Sequence, residues 1–443
     1  MNIPERGRDP DQILADLDAR AAGDVDWRGG RVFSLVYHAG EAHEQLVHRA
    51  HARYASANLL NPLAFANLRA LEREVVAMTA SLFGAPAATG TVTSGGTESI
   101  LCAVAAYRDR ARRTRPWIRR PELVVPRTIH PAFDKAAHYF GVRLVKTEVG
   151  GDFRADVRAI ARAIGRRTIG IVASAPQYPH GVIDPIAELA ALAQRRGIPM
   201  HVDACIGGFV LPWLERLGRA VPRWDFRVPG VTSISADLHK FGYAAKGASV
   251  LLWRDARDLR DQIFVATDWP GGIYASPTLL GTRPGGPIAA AWAALHALGE
   301  AGYVALAQGA IAAADRLRVG LAAIAPLAVL GEGDATIVSY GSRASGGLDV
   351  FALADRLEAR GWTVDRQHRP ACIHLTVTAN HAPIVDEYLA DVRDAVAELR
   401  AQPGLAREGR AAMYGMAATL PLRRLVASRV RAEIAKLYAP EAR

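Results

Sequence analysis

One lysine in this chain stands in an uncommon setting. Lys240 follows His239 in the string SISADLHKFGYAAKG (Ser233–Gly247), directly after an apolar, β-prone run. Most lysines are solvated surface charges, but one desolvated at a strand end loses its proton more readily and becomes a nucleophile toward carbonyl carbon. Three other segments suit the same chemistry. In HVDACIGG, Asp203 closes another apolar run. A carboxylate there is costly to bury unless a cation faces it, and a protonated pyridine nitrogen would be such a cation. A helix-capping or salt-bridged aspartate would read the same way. In SGGTES (Ser94–Ser99), two glycines permit close backbone approach and a helical run follows. Free N–H groups of Gly95 and Gly96 and the Thr97 hydroxyl are then available to an anion such as a phosphate, although a plain turn with a helix cap looks alike. In TIHPAF, His130 follows a strand-like run. Alone it reads as a surface histidine, and it gains meaning only beside the other three.

These residues need a scaffold that brings strand ends together. Apolar β-prone runs occur at Leu123–Val125, Leu144–Val149, Thr168–Ser174, Met200–Cys205, Val231–Ala236 and Ser249–Trp253, with helical segments between several of them. Residues 68–83 predict a helix: Leu68, Leu71, Val75, Met78 and Leu82 recur at helical spacing, and Gly84 stops it. A second helix follows Asp184 as N-cap and Pro185 at its first position, runs through Ile186, Leu189 and Leu192, and ends at Gly197. Alternating strands and helices predict an α/β fold with a largely parallel sheet covered on both faces, and such sheets place ligands outside the carboxyl ends of their strands. The last part differs. Residues 349–360 and 384–400 look helical, and Cys372–Thr378 alternates, so a small α+β domain is expected from about residue 320. The expected division is an arm at 1–62, a large domain at 63–319 and a small domain at 320–443.

Composition narrows the class. The chain has 443 residues, half of them hydrophobic, which suits two globular cores and not disorder. Three cysteines far apart (Cys102, Cys205, Cys372) fit neither a disulfide framework nor a zinc site and point to a reducing, cytoplasmic compartment. No apolar run is long enough for a membrane span, and the first thirty residues lack the apolar core of a signal peptide. The net charge of +10 admits a nucleic-acid binder, but the arginines cluster only in AYRDRARRTRP near residues 105–116, at the spacing of a solvated helix face; no nucleic-acid partner is expected.

At this point the residues resemble a known family. HVDACIGGF, DFRVPGVTSISADLHKFGYAAKG and TDWPGGIYASPTLLGTRPGG are similar to the sphingosine-1-phosphate lyases, a branch of the group II decarboxylases that use pyridoxal 5′-phosphate. The likeness runs from about Val36 to Tyr414-Gly415-Met416. It implies fold type I, the aspartate-aminotransferase-like architecture with a mostly parallel, seven-stranded-type sheet. It also implies roles. Lys240 would carry the cofactor as a Schiff base, Asp203 would pair with its pyridine nitrogen, and His130 would stack on its ring. Gly95, Gly96, Thr97 and His239 would hold its phosphate. Thr282 in the GTRPGG loop would reach the cofactor of a neighbouring subunit in a homodimer with shared active sites. Tyr37 and Lys246 would contact the substrate phosphate, and Tyr178 in SAPQYPHG would line the site and assist proton transfer. The family's eukaryotic members carry an N-terminal membrane helix, so this chain resembles a soluble bacterial-type member.

The resemblance has one departure. Where the family pattern near Asn61 is NPLH, this chain reads NPLAFANLRALE, with Ala64 in place of a histidine expected to help bind the substrate phosphate. Leu35 is also larger than the family's residue before the arm's Val-Tyr. His38 or an arginine could compensate. The implied reaction is retro-aldol cleavage of a phosphorylated long-chain base to a long-chain aldehyde and phosphoethanolamine, with Lys240, Tyr178 or the cofactor phosphate as base. An amino-acid decarboxylase on the same fold is the alternative, and a non-catalytic nucleic-acid-binding module is a more distant one.

Overall fold

The computed structural model describes residues 2–343, 347–402, 404 and 423–439; the Tyr414-Gly415-Met416 end of the resemblance lies outside them. Seven strands form the main sheet: β1 (Thr89–Thr93), β2 (Glu122–Pro126), β3 (Arg143–Thr147), β4 (Thr168–Ser174), β5 (Met200–Asp203), β6 (Val231–Ala236) and β7 (Ser249–Trp253). Their order is β1-β7-β6-β5-β4-β2-β3. The block from β3 to β6 is parallel, and β7 is antiparallel to both its neighbours. Every residue of β2, β4, β5 and β7 is buried, because helices cover both faces; this is why these strands read as continuous apolar runs. Three of the six expected strands match residue for residue, a fourth (Met200–Cys205 against Met200–Asp203) differs by two residues at one end, and β1 is additional. Its sequence, TGTVT, is short and mostly polar, and only pairing with β7 makes it a strand.

The expected helix over 68–83 spans Ala66–Leu82, with Gly84 at φ +71° just beyond it. The second expected helix needs a correction. It begins at Ile186, with Pro185 at its cap position and no side-chain cap. Asp184 instead accepts from the backbone N–H groups of Ala155 (2.9 Å) and Ser174 (2.8 Å), stitching β4 to a neighbouring loop. Its burial pushes the carboxyl up to about 6.

A short hairpin, β8 (Phe264–Ala266) and β9 (Tyr274–Ser276), precedes a long helix, Gly285–Ala322, interrupted at Gly299. A second, antiparallel sheet has the order β10-β11-β13-β12, from β10 (Leu327–Leu330), β11 (Ile337–Ser342), β12 (Asp365–His368) and β13 (Ala371–Thr376). Helices Val350–Ala359 and Val385–Ala401 accompany it, the first capped by Asp349. There are separate apolar cores: Ile288 and Ile311 of the long helix pack with the main sheet, whereas its Leu317 and Leu321 pack with Tyr340 and Leu375 of the second sheet.

The N-terminal segment ties these parts to one place. Phe33 is fully buried in the second core and stacks on His381 (4.5 Å). Its backbone bonds to Thr363 and Thr376. Four residues later Tyr37 meets Phe241 beside the main sheet. The arginines of 105–116 include Arg110 and Arg113, which pair with Asp258 (2.8 Å) and Asp261 (2.6 Å). The three cysteines are buried and unlinked. Among the described residues there is no cluster suited to a metal ion, and no helix is long and apolar enough to cross a membrane.

Candidate active site

A cavity of about 560 Å³ opens at the carboxyl ends of β4, β5 and β6, lined among others by Asp203, Lys240, His130, Tyr178 and Lys246. Its floor is built by the turn after β6. There Lys240 Nζ lies 2.9 Å from Asp237 Oδ2. Asp237 is buried, and its Oδ1 has no hydrogen-bond partner. Burial opposes the Asp237 charge, but Lys240 and His239 outweigh it and hold the carboxyl below its usual range. Burial likewise opposes the Lys240 charge, yet Asp237 outweighs it and holds the amine above its usual range. Desolvation alone would have depressed Lys240. The structure reverses that expectation because a carboxylate shares the desolvated space.

Asp203 ends β5, one strand from the lysine. Its Oδ1 accepts from Cys205 N (3.1 Å). Behind it His201 bridges Ser233 Oγ (2.9 Å) and Ser235 Oγ (3.1 Å), and burial pulls the imidazole down to about 4, so it is neutral. The Gly95-Gly96 turn opens the helix Gly96–Thr114 towards the same cavity. A Cβ on Gly96 would sit 2.7 Å from Asp237 Oδ1 and from Cys205 Sγ, and one on Gly95 would sit 3.2 Å from His239 Cε1. Glycine is therefore required at Gly96 by the approach of a carboxylate. Thr97 is exposed at this helix start. His239 accepts from Ala248 N (3.1 Å) through Nδ1, and burial pulls it down to about 4. His130 accepts from Ala132 N (3.2 Å) and presents its ring edge-on to Tyr178, 6.5 Å away.

The rim comes from the N-terminal segment. Leu35 holds a left-handed backbone (φ 66°), uncommon for a branched side chain, and is mostly exposed. The turn aims its carbonyl at Lys246, whose Nζ donates to it at 2.6 Å and to His239 O at 3.2 Å. The same ammonium lies 5.2 Å from the Tyr37 ring. Desolvation, aided by Lys240, pulls Lys246 down to about 8. Burial pushes Tyr37 up to about 12. One expected site residue, the one assigned to a neighbouring subunit's cofactor, lies outside this chain's cavity. Thr282 is exposed, bonded to Asn58 Nδ2 (3.4 Å), and is not part of the cavity wall. Ala64 lies at a separate surface depression with Tyr54 and Phe65. His38 faces Glu44 at 3.5 Å.

Two carboxylates escaped the sequence reading. Asp237 stands in the same string as Lys240, and a buried strand-end acid three residues before the lysine was the available signal. Asp365 accepts a 2.7 Å hydrogen bond from the Tyr178 hydroxyl. It comes from β12 in the other sheet, and no local pattern marks it.

A lysine at the carboxyl end of an interior strand, backed by one aspartate and flanked by another, places the chain in a class that comparison with known proteins also returns. The pyridoxal-dependent decarboxylase conserved domain matches residues 1–340. The glutamate decarboxylase of Lactobacillus brevis shares the fold at a TM-score of 0.78 with 21% identity, covering 90% of this chain and 95% of that one. Nearer relatives are more specific. The sphingosine-1-phosphate lyase of Arabidopsis thaliana is 43% identical over 424 residues, which is 94% of this chain and 77% of that protein. A sphingosine-1-phosphate lyase of Rattus norvegicus is 43% identical over 96% of this chain and 75% of its own length. The solved structure of the Burkholderia pseudomallei enzyme superposes with a TM-score of 0.86 at 38% identity, covering 92% and 95% of the two chains. The chain belongs to the sphingosine-1-phosphate lyase family.

Pyridoxal 5′-phosphate is the cofactor of a pyridoxal-dependent lyase, and the residues present fit it. Gly96 brings the backbone against Asp237 and Cys205 where a Cβ has no space, the helix start there faces the cavity for a phosphate, and Asp203 and Lys240 both line the same space. The unpartnered Asp237 Oδ1 shows that the polar groups of this floor are not satisfied among themselves.

Proposed function

We propose that this chain cleaves the C2–C3 bond of sphingosine 1-phosphate or sphinganine 1-phosphate, giving a long-chain aldehyde and phosphoethanolamine. The observation that carries the reading is the pair of lysines in one cavity: Lys240 on its floor, and Lys246 at its rim with its ammonium turned inward against Tyr37 and Leu35. One amine serves the cofactor, and a second cation serves a substrate phosphate. Lys240 would bind the cofactor aldehyde, Asp203 would pair with its pyridine nitrogen, His130 would pack on its ring, and Gly95, Gly96, Thr97 and His239 would take its phosphate. Bound pyridoxal phosphate supplies an electron sink for the pair released when a bond to C2 breaks. Anchoring the substrate phosphate at Lys246 and Tyr37 fixes which C2 bond is presented, so these residues select the reaction as well as the substrate. An amino-acid decarboxylase acting on an uncharged side chain would need no second cation.

Three features support work as a homodimer with shared active sites. Thr282 is exposed outside the cavity of its own chain, and Leu63 and Ile273 are exposed apolar residues. Buried free cysteines support a cytoplasmic setting. The separate cores support a domain division near residue 320, with 1–62 as an arm. The test is to supply sphingosine 1-phosphate to the cofactor-loaded protein and quantify both products beside Lys246→Ala. Equal yields of both, with kcat/KM lowered on the order of 100-fold in the variant, support the reading. Carbon dioxide release from amino acids with no aldehyde from sphingosine 1-phosphate overturns it.

A further inference from the structure

The reaction needs a group to take the proton of the substrate's 3-hydroxyl, and the Tyr178 hydroxyl alone is poorly suited. It is a neutral phenol donating to Asp365, and burial, with Asp365 beside it, keeps it above the ordinary phenol range. The hydrogen bond has a direction: the proton of Tyr178 points at Asp365 Oδ2, away from the cavity that Tyr178 lines. A phenol whose proton is committed backwards offers its oxygen lone pairs forwards, as an acceptor.

We infer that Asp365 is a positioning residue of the cleavage step that acts through Tyr178, orienting its hydroxyl as an acceptor and holding the displaced proton. The inference rests on the lyase reading above and deepens it. In the step, the 3-hydroxyl proton passes to Tyr178 Oη while the Tyr178 proton passes to Asp365 Oδ2. The O–H electron pair becomes the second bond of the aldehyde C=O, and the C2–C3 pair remains with C2. C2 then gains one proton, so the one released from the hydroxyl balances the one required, and Asp365 returns to its carboxylate.

The surroundings hold the pair in register. The Tyr178 ring stacks on His374 at 4.1 Å. His374 stands opposite Asp365 in the β12–β13 pairing, and its Nε2 is 2.9 Å from Thr376 Oγ1. The groups that face the dyad are therefore His374 from β13, His130 beyond the ring edge, and Tyr37 and Lys240 from the cavity. Burial pulls His374 down to about 4 despite Asp365 nearby, so it packs as a neutral ring. Asp365 does not line the cavity wall, which suits a residue reached only through Tyr178. Tyr178 lies in a loop after β4 and Asp365 in the second sheet, so the dyad exists only where the two sheets meet.

The experiment compares wild type with Asp365→Asn, Asp365→Glu and Tyr178→Phe, all loaded with cofactor and supplied with sphingosine 1-phosphate. Asparagine can still accept the phenol hydrogen bond but cannot hold the proton. The expected result is a fall in kcat on the order of 100-fold for Asp365→Asn, the usual scale of a lost proton-transfer group, with KM and cofactor absorbance near those of wild type. Asp365→Glu recovers part of kcat. The double variant with Tyr178→Phe is no worse than the poorer single one, because the two act as a unit. A readout independent of turnover is the ¹³Cζ resonance of Tyr178 in labelled protein, assigned by its loss in Tyr178→Phe. It moves to the phenolate position at lower pH in Asp365→Asn than in wild type. If Asp365→Asn folds poorly, Tyr178→Phe and Asp365→Glu decide: a Tyr178→Phe protein that keeps kcat within about threefold of wild type overturns the inference. The inference is overturned if Asp365→Asn keeps kcat within about threefold of wild type, or if the resonance titrates identically in both. A wild-type protein that releases no aldehyde overturns the lyase reading and this inference together.

Discussion

The floor and the rim of the cavity are built on different principles. At the floor, Lys240, Asp237, Asp203 and Gly96 come from consecutive strand ends and one helix start: Lys240 pairs with Asp237, Gly96 lies against Asp237 and Cys205, and Asp203 accepts from Cys205 N. At the rim, Leu35, Tyr37 and Lys246 come from an arm and a loop, Leu35 is strained and mostly exposed, and one contact is to a backbone carbonyl rather than a side chain. The cofactor-binding floor is placed at the buried ends of β5 and β6. The part that meets a varied, partly lipid substrate is placed on segments that can be remodelled without disturbing it.

Lys240→Ala should break the floor outright. Activity is expected to fall by at least about 10⁴-fold, together with loss of the visible absorbance of the bound cofactor, checked by spectrophotometry and product assay. Retention of activity at the wild-type level would remove the floor as the seat of chemistry. Gly96→Ala probes the same floor by volume. Its Cβ would stand 2.7 Å from the Asp237 carboxylate and the Cys205 sulfur, so either the helix start or Asp237 has to move. Cofactor affinity, measured by fluorescence titration, is expected to drop by roughly 10-fold or more, whereas Lys246→Ala leaves it unchanged. The contrast between those two variants sharpens the division into floor and rim.

The smallest effect concerns the charge at the rim. Lys246 sits at about 8 because of desolvation and Lys240. Its cationic form is the one that binds an anion, so attraction is full below pH 8 and declines as pH rises through it. In wild type, kcat/KM for a phosphorylated substrate should fall by about threefold between pH 7.5 and 8.5 from this group alone. Lys246→Arg, which stays charged throughout, should flatten that limb. A limb unchanged in Lys246→Arg would assign it to another group.

Much of the main sheet was legible in the sequence, because strands buried on both faces must be written in apolar residues: Thr168–Ser174, Val231–Ala236 and Ser249–Trp253 lie where their composition placed them. The second sheet was read less completely. Its strand Asp365–His368 is DRQH, with no apolar run to reveal it. Asp184 shows a different limit. Its position before Pro185 suggested a helix cap, but two backbone N–H groups from other elements compete successfully for its carboxylate.

What the sequence by itself determined was the set of strand ends and the residue types they carry: Lys240 behind His239, Asp203 closing its strand, and the glycines before Thr97. Local pattern suffices there, since periodicity and burial act over a few residues. What the tertiary structure decided was which charges share space. Asp237 holds Lys240 as an ammonium against the pull of burial, and Asp365 turns the Tyr178 hydroxyl away from the cavity across 187 residues of chain. Charge interactions and hydrogen bonds depend on distance in space rather than along the chain, so no local pattern could have announced that second contact.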